Sequence, residues 1–310
     1  MAKSYDELLE NIRQLTEENE QLKKAYDKLG EMYDDLSLSY EDALMMYDQA
    51  KEKIRMESEL QVASNIQMSM IPKKFPEHPG IDMYATITPA KEVGGDLYGY
   101  YIQDDKLYFC VGDVSGKGVP ASLFMAQATR LFRILATMNM MPAEICNHIN
   151  NALTDGNSAL MFVTFFIGLI DMKTGQLDFC NCGHCEPVIG DGEGHASFIK
   201  MLPNLPIGIF PKYKFKGEKI DNIKGKYLFI YTDGLNEAQN LKKELFGKNR
   251  LLEVFRSKTS DKANQAIETM TAEVEKHRNG AEPNDDLTMM CINIKNHNEY
   301  ELVAGTGTWV

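Results

Sequence analysis

Residues 93–118 have the sequence VGGDLYGYYIQDDKLYFCVGDVSGKG, in which two glycine-flanked aspartates, Asp96 and Asp113, border two apolar runs. The runs 97–103 and 107–111 are rich in Tyr, Phe, Ile and Val and are separated by a polar break, which predicts a β-hairpin. A hairpin returns Asp113 to the neighbourhood of Asp96. Carboxylate and backbone carbonyl oxygens are the ligands that hard divalent cations prefer, and glycine permits close backbone approach. The stretch therefore predicts a metal site.

Length and charge bound the class of protein. The 310 residues are 44% hydrophobic, enough to bury a full core, and the net charge is −12. Sixteen acidic and eight basic residues fall within residues 1–60, so a nucleic-acid partner is not expected. The longest apolar run, 161–170, is too short to span a membrane, and the N-terminus lacks the apolar segment of a secretory signal. A cytoplasmic protein with no membrane partner is expected.

The six cysteines, at positions 110, 146, 180, 182, 185 and 291, lie mostly in apolar surroundings. There, reduced thiols behave as small hydrophobes, and no disulfide framework is evident. Cys180, Cys182, His184 and Cys185 together have a metal-like composition. Their spacing is too tight for a usual zinc ribbon, and three of them fall in or beside a predicted strand and turn, so the sequence favours a structural role.

A heptad pattern dominates residues 5–54. One of the two core positions of the heptad is occupied by leucine in five successive heptads and by alanine in the next two. The other core position holds mainly tyrosine and isoleucine, with Asn19 as an exception. Leucine at d with a single asparagine at a favours a parallel two-stranded coiled coil, so residues 1–55 are predicted to form a homodimer. The alternative is a helix folded onto its own globular domain. The leucine position comprises Leu8, Leu15, Leu22, Leu29, Leu36, Ala43 and Ala50.

The heptad register shifts after Ile54. The apolar stripe resumes in another phase as Met56, Leu60, Ala63, Gln67 and Met70, which indicates a local change in winding. Pro72 then disfavours further helix. We therefore predict a helical linker over 56–72, a catalytic domain over 73–296 and a polar tail over 297–310.

Strands and helices alternate through the predicted domain. Strands are expected at 81–87, 97–103, 107–111, 162–171, 176–182, 187–189, 227–231 and 287–294, and helices from Pro120, over 142–153, 248–255 and 262–277, while residues 203–225 are irregular. Four acids, Asp96, Asp113, Asp233 and Asp285, fall at strand ends. Any one alone is typical of a turn, but four converging carboxylates would need cations to offset their repulsion. Oxygen-only ligation favours Mg²⁺ or Mn²⁺.

Seven ordered motifs in residues 68–294 resemble the metal-dependent serine/threonine phosphatases of the PPM superfamily. The resemblance is to the bacterial branch typified by the stage II sporulation E phosphatase and by regulators of general-stress sigma factors. Seven motifs in one order make the resemblance specific. They are 89–96 (PAKEVGGD), 112–121 (GDVSGKGVPA), 161–164 (MFVT), 181–184 (NCGH), 205–208 (LPIG), 231–238 (YTDGLNEA) and 285–288 (DDLT).

The resemblance implies an α+β fold, a β-sandwich flanked by helices in four layers, α-β-β-α. It implies that Asp113 bridges two Mn²⁺ or Mg²⁺ ions, with the Val114 carbonyl and Asp96 on the same side. It implies that Asp233 and Asp285 hold the second ion, and it leaves open whether Asp286 shares that role. Two such ions would activate water for attack on a phosphoryl group. The implied substrate is a phosphoserine on an anti-sigma-factor antagonist protein.

Several alternatives remain at this point. Lys117 and Arg130 are only candidates for gripping the phosphate, and either could be surface charge. A cysteine-nucleophile phosphatase is disfavoured because no cysteine has an arginine six residues later, and residues 112–117 match a phosphate loop only superficially. A scaffold with an inert phosphatase-like domain would be favoured by the loss of one acid, yet none is lost. A phosphatase for an unrelated phosphoprotein also fits the sequence.

Overall fold

The computed structural model describes residues 2–257 and 262–296, with side chains from residue 5 onward. Contacts divide the chain into two units between Glu59 and Leu60. The predicted tail at 297–310 lies outside the described residues. Among the described residues, no helix is both long and apolar enough to cross a membrane.

The N-terminal unit is helical throughout its described part. Helix α1 runs from Ala2 to Met70 without interruption, so the predicted helix and its end before Pro72 are confirmed. Every described side chain from residue 5 to 59 is exposed. The register shift after Ile54 therefore leaves the helix itself intact.

The second unit contains the remaining elements. The strands are β1 (Ile81–Thr88), β2 (Leu97–Gln103), β3 (Lys106–Val114), β4 (Val163–Asp171), β5 (Leu177–Cys182), β6 (Val188–Gly190), β7 (Ala196–Phe198), β8 (Glu218–Ile220), β9 (Tyr227–Tyr231) and β10 (Leu287–Ile294). The helices are α2 (Val119–Ala136), α3 (Pro142–Thr154), α4 (Asp233–Asn236), α5 (Lys248–Arg256) and α6 (Ala263–Arg278).

Two antiparallel sheets of five strands each form the core of this unit. One sheet has the order β1-β10-β9-β6-β7 and the other β2-β3-β4-β5-β8. Helices α5 and α6 contact the first sheet, and α2 and α3 contact the second. Strand β2 contacts both β1 and β10 of the other sheet. The arrangement is an α+β fold with helices on each sheet.

Three elements were not predicted from the sequence. Strands β7 and β8 are short and pair at sheet edges, and each shows only partial burial. Helix α4 is a single turn that begins at Asp233 itself. Strand β3 is longer than predicted and includes Asp113 and Val114, because the β3–β4 ladder continues to the pair Val114 and Val163.

Candidate metal centre

The two sheets each contribute two of the four predicted aspartates. Asp96 precedes β2 and Asp113 lies near the end of β3, in one sheet. Asp233 follows β9 and Asp285 precedes β10, in the other sheet. Leu97 pairs with Gly112, so the hairpin sets Asp96 beside Asp113. The charges of Asp233 and Asp285 in turn act on Asp113, which means that the structure brings all four acids together.

Burial and like charges raise the proton affinity of this cluster. Burial, followed by repulsion from Asp233, Asp285 and Asp286, raises the pKa of Asp113 to about 7. Asp96 is only 2% exposed, and this burial is the main cause that raises its pKa. The charge of Asp113 is the second cause. Burial and then Asp285 raise the pKa of Asp233. Carboxylates under this repulsion gain stability when a cation binds among them.

Asp96 is oriented by a threonine from the opposite sheet. The hydroxyl of Thr232 donates a hydrogen bond to Asp96 Oδ2 at 2.8 Å and accepts one from the Thr288 backbone N–H at 3.0 Å. Thr232 is fully buried. Thr232 adjoins Asp233 in the sequence, but no feature of the sequence pattern indicates this contact with Asp96. It fixes the orientation of one carboxylate oxygen of Asp96.

Asp286 has a different environment from Asp285. Its Oδ1 accepts the Ala90 backbone N–H and its Oδ2 accepts the Gly95 backbone N–H, both at 2.8 Å. A Cβ at Gly234 would lie 1.9 Å from the Asp286 carbonyl oxygen, so this approach requires glycine. Asp286 thus ties the β10 loop to the loop before Asp96, and both of its carboxylate oxygens are occupied by hydrogen bonds.

The backbone of Gly95 packs closely against the Val114 carbonyl oxygen. A Cβ added at Gly95 would come within 2.9 Å of this oxygen. Glycine therefore leaves room beside the carbonyl, next to Asp96 and Asp113. The donor set around this space consists of carboxylate and carbonyl oxygens, which suits Mg²⁺ or Mn²⁺ better than a soft metal.

Lys117 is the basic side chain at the edge of the cluster. Its Nζ lies 2.8 Å from Asp285 Oδ2 and donates to the Asn284 carbonyl at 2.6 Å. The lysine and Asp285 side chains are 44% and 37% exposed. Arg130, the other predicted candidate, lines a separate cavity of about 660 Å³ with Met70 and Ala152. Only Lys117 has a described contact with the carboxylate cluster.

A neutral histidine supports the backbone at Asp113. His184 Nδ1 lies 2.9 Å from Thr164 Oγ1, and Thr164 Oγ1 donates to the Asp113 carbonyl at 3.4 Å. Burial lowers the pKa of His184 to about 4, so the ring is uncharged near neutral pH. Among the described residues, His184 and Cys185 do not bring a ligand atom together with Cys180 and Cys182 as a metal-binding group, which is consistent with the structural role favoured from the sequence.

Comparisons with known proteins agree with this fold. A family described as Stage II sporulation protein E (SpoIIE) matches residues 103–295. Protein IcfG of Synechocystis sp. is 30% identical over 264 residues, which cover 76% of this chain and 41% of that protein. Phosphoserine phosphatase RsbU of Bacillus subtilis is 26% identical over 185 residues, covering 59% of this chain and 55% of that protein. The chain spans about half the length of the curated relatives it matches.

Solved structures support the same fold. The SiaA-PP2C domain of Pseudomonas aeruginosa superposes with a TM-score of 0.69 at 23% identity, covering 78% of this chain and 98% of that domain. The RsbU and RsbW domains of Rv1364c from Mycobacterium tuberculosis give a TM-score of 0.61 at 23% identity, and the match covers 70% of this chain and 60% of that one. The fold is PP2C-like, with two antiparallel sheets and an N-terminal helix. The family match covers more than half of the chain, so the chain belongs to the SpoIIE family, within the branch of PPM phosphatases that includes RsbU and RsbP.

Proposed function

We propose that this chain is a metal-dependent protein-serine/threonine phosphatase, a phosphoric monoester hydrolase that acts on a phosphoserine. The observation that carries the proposal is the convergence of four aspartates from two sheets, with a pKa of about 7 at Asp113. The relatives RsbU and RsbP are named phosphoserine phosphatases. All four acids of the family pattern are present, which favours an active enzyme over an inert scaffold.

The proposed ligands of two Mn²⁺ or Mg²⁺ ions are those that the family resemblance implies. Asp113 would bridge the ions, with Asp96 and the Val114 carbonyl on one side and Asp233 and Asp285 on the other. The all-oxygen donor set and the mutual repulsion of the acids support this assignment. RsbX, a structural neighbour of similar fold, was solved in complex with magnesium. Bound ions of this kind supply an activated water and neutralise charge on a phosphoryl group.

The chain's own residues would position the substrate and the ligands. Thr232 orients Asp96 through its 2.8 Å hydrogen bond, and Asp286 holds the loop that carries Asp96. Because the two oxygens of Asp286 accept backbone N–H groups, we assign it a positioning role outside the ligand set. Lys117 has an exposed ammonium at the rim, which suits it to meet phosphoryl oxygens.

The proposed architecture has a parallel coiled coil at 1–55, a linker at 56–72 and a phosphatase domain at 73–296. The domain would be a four-layer α-β-β-α sandwich, which is supported by the placement of α2 and α3 on one sheet and α5 and α6 on the other. The heptad leucines favour a homodimer, because within the single chain their side chains are 57–69% exposed and a partner helix would bury them. They are Leu8, Leu15, Leu22, Leu29 and Leu36.

The proposed substrate is a phosphorylated anti-sigma-factor antagonist protein, as the resemblance to this branch implies. Such a substrate acts on transcription, so the proposal includes a cytoplasmic location. The acidic surface expected from the net charge of −12 gives no support to a nucleic-acid substrate.

Incubation of the full chain with phosphorylated antagonist proteins from the same genome tests the proposal. Phosphate release should require Mn²⁺ or Mg²⁺ and should stop in excess chelator. Asp113→Asn is the inactive comparison, and Asp221→Asn is the matched control, because Asp221 is 85% exposed and paired with Lys219. Release at the untreated rate in chelator would contradict the two-metal proposal. No release from any phosphoprotein, with metal bound, would favour the scaffold.

A further inference from the structure

Three cysteine sulfurs meet beneath helix α3, and none of these residues belongs to the carboxylate cluster. Cys146 lies in α3, and Cys180 and Cys182 lie in β5. Their sulfur atoms all lie within 4.8 Å of one another, and the Cys180 and Cys182 sulfurs are 3.9 Å apart. All three residues are fully buried. Among the described residues, no other three His, Cys, Asp or Glu side chains bring their ligand atoms so close together.

Local structure explains why these sulfurs converge. Residues two apart in a strand point to the same face, so Cys180 and Cys182 lie side by side on β5. Helix α3 packs against β4 and β5, and its buried face includes Ile145, Cys146 and Ile149. The spacing within the strand supplies two of the sulfurs, and the packing of α3 supplies the third.

The separation of the Cys180 and Cys182 sulfurs matches that of two thiolates in a three-coordinate metal site, and the third sulfur lies within 4.8 Å of both. A metal–sulfur bond is about 2.3 Å, and three sulfurs placed evenly around an ion at that distance are about 4.0 Å apart. The observed 3.9 Å separation fits this triangle without rearrangement of β5. We propose that Cys146, Cys180 and Cys182 form a binding site for one soft, thiophilic metal ion.

The number of ligands favours monovalent copper. Structural zinc sites are almost always four-coordinate, whereas the described residues place only three Cys, His, Asp or Glu ligand atoms here. Thiolate ligands select soft ions such as Cu⁺. Zn²⁺ would need a fourth donor, and the described hydrogen-bond partners of Cys180 Sγ outside the cluster are the Lys216 carbonyl at 3.4 Å and the Asn204 amide nitrogen at 3.9 Å.

The surroundings act unequally on the three thiols. Hydrogen bonds from Cys146 and Cys182 lower the pKa of Cys180, while burial raises the pKa of the other two thiols. The Asn204 amide N–H also points toward Cys180 Sγ. Binding of one Cu⁺ would form three copper–sulfur bonds and displace to solvent the proton of each thiol that carries one, with no change in the oxidation state of copper or sulfur.

The ion would hold α3 against β5. Because it binds only the folded arrangement, it stabilises the protein by mass action. This site is separate from the proposed phosphatase centre, whose ligands are all oxygens. Cu⁺ binding should therefore raise the thermal midpoint of unfolding while leaving the Mn²⁺ requirement of phosphate release unchanged.

Metal titration of the full chain under anaerobic, reducing conditions tests this assignment. The background is Cys185→Ala, because Cys185 is the one partly exposed cysteine. Cu⁺ is delivered against a competing chelator, with Zn²⁺ and Cd²⁺ in parallel. The readouts are bound metal per chain, thiolate-to-metal charge-transfer absorption and the number of thiols that resist alkylation. We expect one Cu⁺ per chain, three protected thiols and a rise of roughly 5–10 °C in the thermal midpoint at a hundredfold excess over the dissociation constant.

Single substitutions then identify the ligands. Cys146→Ala, Cys180→Ala and Cys182→Ala should each weaken Cu⁺ binding by at least about 100-fold. Cys110→Ala is the matched control, since Cys110 is equally buried in β3 but outside the cluster, and it should bind as the background does. Equal binding by all four variants would overturn the proposal.

Three outcomes in the background protein, in which the three cluster cysteines are unsubstituted, keep the test decisive if a variant does not fold. Absence of stoichiometric Cu⁺ in the folded background protein would overturn the site. Binding of Zn²⁺ but not Cu⁺ would overturn the three-coordinate assignment. Loss of two thiols without bound metal would identify a disulfide pair instead and would also overturn it.

Discussion

The side-chain amide of Gln67 makes two hydrogen bonds with the backbone of Gly94. Gln67 Nε2 donates to the Gly94 carbonyl at 2.6 Å, and the Gly94 N–H donates to Gln67 Oε1 at 3.1 Å. Gln67 is 7% exposed, although it lies on α1. The end of this helix is therefore bonded to the loop that leads directly into Asp96.

We expect Gln67→Leu to weaken metal binding and phosphate release. The substitution leaves the Gly94 N–H and carbonyl buried without their partner, which costs about 1–3 kcal/mol and loosens the loop before Asp96. The Mn²⁺ concentration for half-maximal activity should rise by roughly 5- to 100-fold, which is that cost expressed as an equilibrium. Gln61→Leu is the control, because Gln61 is exposed on the same helix. An unchanged Mn²⁺ dependence in Gln67→Leu would show that the loop holds Asp96 without the helix.

Asp113→Asn and Asp233→Asn should each lower turnover by at least about 100-fold while the fold stays intact. Removing a carboxylate would lose both cation affinity and charge stabilisation of the reacting group. Steady-state kinetics over a range of Mn²⁺ measures the effect, and circular dichroism checks the fold. Asp285→Asn should show a similar loss, whereas Asp286→Asn should mainly lower stability. The reverse pattern for Asp285 and Asp286 would contradict the assigned roles.

The metal-free protein should lose stability as the pH rises from about 4 to about 7. The pKa of Asp113 is about 7 in the folded chain, whereas an unperturbed aspartate, as in the unfolded chain, has a pKa of 3.8. Between these two pH values the folded chain therefore holds a proton that the unfolded chain has lost. The free energy of unfolding falls wherever the folded state binds more protons. The loss is on the order of 4 kcal/mol, and Asp96 and Asp233 act in the same direction.

Chemical denaturation in chelator, repeated from pH 4 to pH 8, measures this slope. Asp113→Asn cannot lose a proton there, so it should flatten the profile and stabilise the metal-free protein at pH 8. Asp221→Asn should leave the slope unchanged. A wild-type profile that rises over the same range would mean that the acids do not repel one another in the folded chain.

Lys117→Met should tighten cation binding while raising the KM for a phosphoprotein. The Lys117 ammonium neutralises Asp285 at 2.8 Å, so its removal favours a metal ion there. The pair is more than a third exposed, which limits the effect to about 1 kcal/mol, or roughly fivefold in affinity. Calorimetric Mn²⁺ titration and KM measurement separate the two effects. Lys173→Met, which removes an ion pair with Asp105, is the control.

Deletion of residues 1–55 should yield a monomer or a weaker dimer, because the exposed heptad leucines would be lost. We further expect Leu60→Lys or Met70→Lys to change turnover without changing the metal requirement, since the shifted stripe leads directly to the catalytic unit. Sedimentation and turnover on a protein substrate measure both effects. If the substitutions leave turnover unchanged while the deletion dissociates the dimer, the coiled coil serves assembly alone.

The sequence predicts the elements that have a strong period or a continuous apolar run. The apolar run at 287–294 forms β10 with the predicted bounds, and the heptads form α1. Strand β8 was missed because its three residues are only partly buried and pair with β5 alone. Such short edge strands carry no readable alternation, so their position depends on contacts distant in sequence.

The site illustrates the same limit. The strand-end pattern indicates which acids lie near one another, but adjacent aspartates such as Asp285 and Asp286 look alike in sequence. Their roles differ because Asp286 bonds to backbone groups more than 190 residues away. Gln67 did leave a signal, since it is a polar residue in an otherwise apolar stripe. Cys146 left none, because only the packing of α3 brings it to β5.

The order of strands has a consequence for synthesis of the protein on the ribosome. Strand β10, the final strand among the described residues, pairs with both β1 and β9, and the loop before it carries Asp285 and Asp286. A nascent chain that has not yet released β10 from the exit tunnel therefore has neither a complete first sheet nor a full set of acids. The proposed phosphatase activity could begin only after translation has passed β10, so products that end before this strand should be inert toward the proposed substrate.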